Sequence, residues 1–217
     1  MPWLDQMDLY CERTDLTLWS EPLNAITNLA FLAAAALLWR VQSAAAKPVD
    51  AQDRALAVLM GAIGVASFLF HTLATVWAAL ADTLSILVFA AYFLFLFLTR
   101  AARLRGMLAL AAAAAFAALS YAFPKFLPSG PLTGSAGYLP YVIALGAMIA
   151  YLWRTRPASA RTFLGATLLF LVSLGLRSVD LPLCGEFPLG THFFWHLLNA
   201  VVLYRLAREL SIRLRGR

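Results

Sequence analysis

Long apolar runs dominate the hydrophobic pattern of this chain. Seven segments lack the period-two alternation of strands and are apolar along most of their length, at roughly 24–40, 55–71, 78–99, 105–123, 138–153, 162–179 and 191–210. About 20 apolar residues cross a bilayer as a helix, and backbone groups in lipid must be bonded within the segment. The pattern therefore predicts an all-α membrane protein, a bundle of seven transmembrane helices over 24–210 that follows an N-terminal segment at 1–23.

Composition agrees with the pattern. Of the 217 residues, 62% are hydrophobic, and the mean hydropathy is +0.78. A soluble domain with so few polar groups could not cover its surface. Without internal repeats or a linker, we expect residues 1–217 to form a single domain.

The basic residues are distributed unevenly between the predicted spans. Fourteen of the seventeen lie on one side of a seven-span topology: Arg40, Lys47, Arg54, Arg100, Arg103, Arg105, Arg154, Arg156, Arg161, Arg205, Arg208, Arg213, Arg215 and Arg217. Arg13, Lys125 and Arg177 lie on the other. The positive-inside rule predicts an external amino terminus and a cytoplasmic carboxyl terminus. The net charge of +6 is then explained by topology and lipid headgroups, and no nucleic-acid partner is expected.

All three histidines fall in helical metal-ligand patterns inside apolar segments. His192 and His196 are four residues apart and share one helix face, while His71 ends the second predicted span on the same external side. Ionisable residues in membrane segments are costly unless they are paired or functional. Because three neutral imidazoles leave zinc an open fourth position, the sequence predicts a catalytic zinc site held by His71, His192 and His196.

Two further polar residues reach the same predicted depth. Ser67 precedes His71 by one helical turn, and Asp82 opens the third predicted span. Asp82 is a candidate acid/base or a residue that orients a histidine, because both roles need the same proximity. Ser67 either faces the metal or bonds back to its own helix.

The N-terminal segment and the loop before the last span each carry one cysteine. Cys11 and Cys184 are both predicted to be external, where an oxidising compartment would let them pair. We expect a disulfide; two unpaired thiols are the alternative.

Acidic residues are dense in the N-terminal segment, at Asp5, Asp8, Glu12, Asp15 and Glu21. They form either a solvated external segment or an oxygen-ligand site for a hard cation such as calcium. Arg177 and Asp180 are expected to pair with each other at a helix end. Tyr10 and Tyr138 fit the aromatic belt of a membrane interface.

Together these residues resemble the alkaline ceramidases and the wider CREST group of seven-helix membrane hydrolases. The resemblance runs from residue 10 to about 200. It rests on Tyr10-Cys11-Glu12, Trp19 to Asn28, Ser67-x3-His71-x10-Asp82 and His192-x3-His196. The combination is specific, whereas each piece alone is weak.

The resemblance implies a zinc-dependent amidase that hydrolyses the N-acyl bond of ceramide-like lipids to a sphingoid base and a fatty acid. Asp82 and Ser67 would then flank the catalytic water, and Cys11 and Cys184 would form the bridge of the family. The family also implies a calcium site in the N-terminal segment, with Glu12, Glu21 and the neighbouring Asp8 as candidate ligands here. Leu9 and Thr14 stand where the family has an Asp and an Asn.

Two other functions fit parts of the pattern. A zinc-dependent lipid esterase or phospholipase would use the same metal with a different leaving group. A non-enzymatic seven-helix receptor or transporter would use the bundle without hydrolysis, although retinal chemistry is disfavoured because Lys47 and Lys125 lie in predicted loops. Small size and the absence of an organelle signal favour a bacterial inner membrane, with the site facing the periplasm.

Overall fold

Helices form nearly all the regular structure of the protein. The structure is a computed structural model that describes residues 2–46, 48–127 and 133–215. Its α-helices are α1 (Pro22–Thr27), α2 (Leu29–Ser43), α3 (Ala51–Leu73), α4 (Val76–Arg100), α5 (Gly106–Ala122), α6 (Thr133–Ala136), α7 (Leu139–Thr155), α8 (Pro157–Ser178) and α9 (His192–Ile212). Phe123–Phe126 and Leu181–Leu183 are short 3-10 helices. Two basic residues used in the topology prediction, Lys47 and Arg217, lie outside the described residues.

Several helices begin before their apolar runs because polar residues and prolines set their ends. The Asp50 side chain accepts a hydrogen bond from the Asp53 amide at 2.9 Å, so α3 begins four residues before the predicted span. Pro157 starts α8 well ahead of the predicted residue 162, because proline suits the first helical position. Apolar runs alone therefore underestimate the helices.

Within the described residues, five helices are long and apolar enough to cross a membrane: Pro22–Ser43, which joins α1 and α2, then Ala51–Leu73, Val76–Arg100, Gly106–Phe126 and Pro157–Ser178. Helix α7 is apolar but has 17 residues. Helix α9 has 21 residues and carries Arg205, Arg208 and Glu209. The described residues thus form an all-helical bundle with several helices suited to a bilayer.

The long helices pack in a closed ring. Helix α2 contacts α3 and α9, and contacts between successive neighbours continue from α3 through α4, α5, α7 and α8 back to α9. The large buried side chains in the interior include Phe163, Leu96 and Leu152. This ring places the last turn of α3, the start of α4 and the start of α9 at one end of the bundle.

Ion pairs between aspartates and arginines connect the helices at the opposite end of the bundle. Asp53 is fully buried and is paired with Arg100 and Arg215, and Asp50 pairs with the same two arginines. These contacts connect α3, α4 and the segment after α9. The two ends of the bundle are therefore chemically different, one closed by arginine–aspartate pairs and the other built around histidines.

Candidate metal centre

The three histidines meet at one end of the bundle. His71 lies in the last turn of α3, and His192 and His196 lie in the first two turns of α9. One potential ligand nitrogen from each ring lies within 4.8 Å of the others, and all three residues are at least 98% buried. A set of residues separated by more than a hundred positions is thus assembled into one group that could hold a metal.

Each ring keeps one nitrogen without a partner. Nε2 of His71, Nδ1 of His192 and Nε2 of His196 are buried and have no hydrogen-bond partner among the described residues. An unsatisfied buried polar atom is costly, so three of them in one group require an explanation. A bound metal ion provides one, because imidazole nitrogens are common ligands of zinc and other transition metals.

Hydrogen bonds at Nδ1 orient two of the histidine rings. His71 Nδ1 lies 2.6 Å from Glu21 Oε2, and His196 Nδ1 lies 2.9 Å from Thr27 Oγ1. The Thr27 hydroxyl donates its own hydrogen to the Leu23 carbonyl at 2.7 Å. Both rings are therefore expected to donate from Nδ1, which leaves the Nε2 lone pair free for a metal.

Glu21 connects the centre to the N-terminal segment. Its Oε1 accepts a hydrogen bond from Arg13 Nε at 2.6 Å, and its Oε2 accepts from Asn24 Nδ2 at 3.0 Å as well as from His71. Burial raises the pKa of the Glu21 carboxyl, but the hydrogen bonds from His71, Asn24 and Arg13 hold it below the usual value. Glu21 therefore fixes the His71 ring through this short hydrogen bond.

Asp82 and Ser67 lie next to His71. Ser67 is buried one turn before His71 on α3, and Asp82 is in the second turn of α4, with its carboxyl beside Ser67 and His71. The Oδ1 atom of Asp82 is buried and has no hydrogen-bond partner among the described residues. The structure thus groups the three histidines and places Asp82 and Ser67, the two further candidates from the sequence, beside His71.

An aromatic residue covers the centre. The Tyr10 ring stacks on His192 with centroids 3.6 Å apart and an angle of 16°. The Tyr10 hydroxyl accepts a hydrogen bond from Arg177 Nη2 at 3.3 Å, and the guanidinium also lies 5.8 Å from the Tyr138 ring. The interpretation of both tyrosines as interfacial belt residues was therefore incomplete. In the sequence, Tyr10 precedes Cys11 and Tyr138 precedes α7, and neither position indicates a contact with Arg177.

Asp180 has a different partner from the one expected. It makes no ion pair with Arg177; its Oδ1 accepts from the amides of Thr191 and His192 at 2.6 and 2.8 Å, and its Oδ2 accepts from the Cys11 amide at 3.0 Å. Backbone amides at the start of α9 lack partners within their own helix and attract a carboxylate. Asp180 thus fixes the start of the helix that carries two histidines.

Cys11 and Cys184 form a disulfide, as expected. The bridge spans 173 positions and places the N-terminal segment next to the loop before α9. Together with the Asp180 contact to Cys11, it holds the segment that carries Tyr10 over His192.

Replacing Gly190 by alanine is expected to destabilise the protein. Gly190 has a φ of +64°, and a Cβ there would overlap the Asp180 carboxyl and lie 2.6 Å from the Cys11 Cβ. Strain of this kind costs about 1–3 kcal/mol, so the thermal midpoint of Gly190→Ala in detergent should fall by several degrees. Gly185→Ala is the control, because nothing lies within 4 Å of a Cβ at that position. Equal midpoints for Gly190→Ala and the parent would contradict this account.

The candidate calcium ligands do not fit a calcium ion. Glu12 accepts hydrogen bonds from the Leu23 and Asn24 amides at 2.6 and 2.8 Å, and both oxygens of Glu21 accept from protein donors. Asp8 is exposed on the surface. Calcium needs six to eight oxygens, whereas these carboxylates already serve other groups.

An apolar cavity lies within the bundle next to the centre. Its volume is about 90 Å³, part of it is open to the outside, and its lining includes Phe31, Phe89, Tyr138, Met148 and Trp195. Trp195 directly precedes His196, and the Phe31 ring lies 6.5 Å from the His196 ring. An apolar segment of a hydrocarbon chain could therefore lie in this cavity with one end near the histidines.

These features define a class, an all-helical membrane protein with a buried three-histidine group that could hold a metal. Comparison with protein families identifies the family within this class. A family model described as Ceramidase matches residues 10–212, so the chain belongs to the ceramidase family. Membership implies a hydrolase that acts on amide bonds of ceramide-type lipids. The chain has no significant match among curated proteins.

Proposed function

We propose that the protein is a zinc-dependent integral-membrane amidase that hydrolyses the N-acyl bond of ceramide-like lipids to a sphingoid base and a fatty acid. The observation that carries the proposal is a group of three imidazole nitrogens and the Oδ1 atom of Asp82, all buried and all without a hydrogen-bond partner in the part of the chain that the structure describes. Three nitrogen ligands favour zinc over calcium or magnesium. Membership of the ceramidase family supplies the class of substrate.

His71, His192 and His196 would hold the zinc. A bound zinc ion would supply a Lewis acid for the amide carbonyl and would lower the pKa of water to about 7. Glu21 and Thr27 keep two of the rings in the required tautomer. Family membership and the buried donor set support this assignment together.

Asp82 would carry the proton and Ser67 would bind the developing charge. The Asp82 carboxylate accepts a proton from the attacking water and passes it to the leaving nitrogen, because an amine anion leaves poorly. The Ser67 hydroxyl donates a hydrogen bond to the oxyanion formed from the amide carbonyl. The position of both side chains next to His71 supports these roles.

The apolar cavity would receive an acyl or sphingoid chain. Each CH₂ group moved out of water into such a cavity contributes about 0.8 kcal/mol. A lipid that enters from the bilayer gains less than one that enters from water, so the cavity mainly positions the chain. Trp195 and Phe31 lie at the junction between the cavity and His196, which would place the amide near the metal.

We further propose a seven-span topology with the amino terminus and the metal centre on the external side, in a bacterial inner membrane facing the periplasm. The arginines that pair with Asp50 and Asp53 lie at the opposite end of the bundle, as the positive-inside rule requires of a cytoplasmic end. Labelling single cysteines in a chain without Cys11 and Cys184, in intact cells, tests this orientation.

Product analysis tests the reaction. Purified protein of known zinc content is incubated with N-acyl sphingoid bases and, separately, with glycerolipids, and the products are identified by mass spectrometry. Release of sphingoid base and fatty acid from the first set supports the amidase. Release of fatty acid from glycerolipids alone would replace it with a lipid esterase, and no turnover of either would favour a receptor or transporter.

Ser67→Ala is expected to lower kcat on the order of a hundredfold with little change in KM, because an oxyanion donor acts mainly in the transition state. Ser178→Ala is the matched control, since the Ser178 hydroxyl donates to the Leu174 carbonyl of its own helix at 2.7 Å. Kinetics on a ceramide with a short acyl chain measure both constants. An unchanged kcat would assign Ser67 to packing.

A further inference from the structure

Arg13 lies inside the protein although it belongs to the N-terminal segment. Its side chain is 2% exposed, and its guanidinium donates hydrogen bonds to four oxygens. Nε donates to Glu21 Oε1 at 2.6 Å, Nη1 to the carbonyls of Asp15 and Thr17 at 3.1 and 3.4 Å, and Nη2 to the His71 carbonyl at 3.2 Å. One side chain therefore connects the N-terminal segment, the start of α1 and the end of α3.

The oxygens around Arg13 are of the kinds that hard divalent cations bind. One carboxylate and three backbone carbonyls converge on one positive group, and protein calcium sites use carboxylates and carbonyls in the same way. Two other carboxylates lie nearby: Glu12 accepts from the Leu23 and Asn24 amides, and Asp15 accepts from the amide and hydroxyl of Thr17. A cation at this place would have to displace the guanidinium.

Arginine suits the position better than lysine would. The guanidinium stays protonated and offers five donors in a planar fork, which can serve several oxygens at once. A lysine ammonium is a single point of charge with three donors. The guanidinium also lies against one oxygen of the Glu21 carboxyl, whose other oxygen lies against His71.

We propose that Arg13 takes the place of a structural divalent cation, so that this protein assembles its metal centre without calcium. Arg13 is a positioning residue. It holds Glu21 in place behind His71 and fixes the N-terminal segment to the His71 carbonyl. The proposal rests on the proposed zinc centre, but its tests use binding and unfolding and need no substrate.

The first test is calcium binding by the unaltered protein. Elemental analysis of purified, zinc-loaded protein should find no stoichiometric calcium, and calorimetric titration with calcium up to about 1 mM, the range of weak protein sites, should show no saturable binding. The thermal midpoint should be the same with and without added calcium. One calcium per chain, saturable binding or a calcium-dependent rise of the midpoint would overturn the proposal.

The second test removes the guanidinium. Zinc affinity of Arg13→Ala, measured by competition with a chromogenic chelator, should fall on the order of tenfold to a hundredfold, as when a partner behind a metal ligand is lost. Arg13→Lys keeps a charge beside Glu21 but not all four hydrogen bonds, and its loss should be smaller. Arg154→Ala is the control, because Arg154 is exposed and has no side-chain hydrogen bond or ion pair within the described residues.

Parental zinc affinity in Arg13→Ala, or an equal loss in Arg154→Ala, would overturn the positioning role. If Arg13→Ala yields no folded protein, Arg13→Lys and the calcium titration decide the matter. Loss of ceramide hydrolysis in the unaltered protein would contradict the proposed function but would leave both of these binding results intact. The two proposals therefore fail in distinguishable ways.

Discussion

Replacing either histidine of α9 by alanine is expected to remove metal and activity together. His192 and His196 each present one of the three buried nitrogens of the centre that have no hydrogen-bond partner within the described residues. Two remaining imidazoles hold zinc poorly because catalytic sites use three protein ligands. The loss should exceed the ten- to hundredfold effect on affinity of changing a partner behind a ligand. Elemental analysis should show far less than one zinc per chain, and hydrolysis should fall to background.

A neighbouring residue of α9 provides the control for these variants. Phe194 lies between the two histidines in sequence but is 36% exposed, so Phe194→Ala should keep both zinc and turnover. The thermal midpoint of each metal-free variant should be close to that of the metal-free parent. Full zinc content and parental turnover in His196→Ala would remove the histidine group from the mechanism.

The histidine group could be predicted from sequence because two of its members are close in the chain and the third ends another span. A spacing of four residues puts His192 and His196 on one helix face, and alternation of the spans brings His71 to the same end. The partners behind the rings could not be predicted in this way. Glu21 and Thr27 come from the start of the first span, and which polar side chain meets which histidine depends on the packing of α1 against α3 and α9.

In the N-terminal segment, the number of acidic residues does not predict which groups their carboxylates bind. Its acidic residues allowed a cation site, yet Glu12 bonds the first amides of α1 and Glu21 bonds Arg13 and His71. A helix start attracts a carboxylate whether or not a metal is near. Sequence gives the number of carboxylates but not the donors that reach them first, and Arg13 within the same segment gave no local signal of its burial.

Replacing Asp82 should lower the rate of hydrolysis without changing the zinc content. It is not one of the three nitrogen ligands, and its Oδ1 is buried without a partner among the described residues. A carboxylate at this position can carry a proton from water to the leaving nitrogen, whereas an amide of the same shape cannot. Removing a proton carrier costs about 10² to 10⁴ in rate.

Asp82→Asn is therefore expected to keep one zinc per chain while kcat for ceramide falls about 10² to 10⁴-fold. An ester analogue should lose less, because an alkoxide leaves more readily than an amine anion and depends less on protonation. Elemental analysis and parallel kinetics on the amide and the ester measure both effects. Glu186→Gln is the matched control, since Glu186 is an exposed carboxylate in the loop before α9, and it should keep the parental rate. If Asp82→Asn hydrolyses ceramide at the parental rate, or loses its zinc, Asp82 supports the metal centre and does not carry the proton.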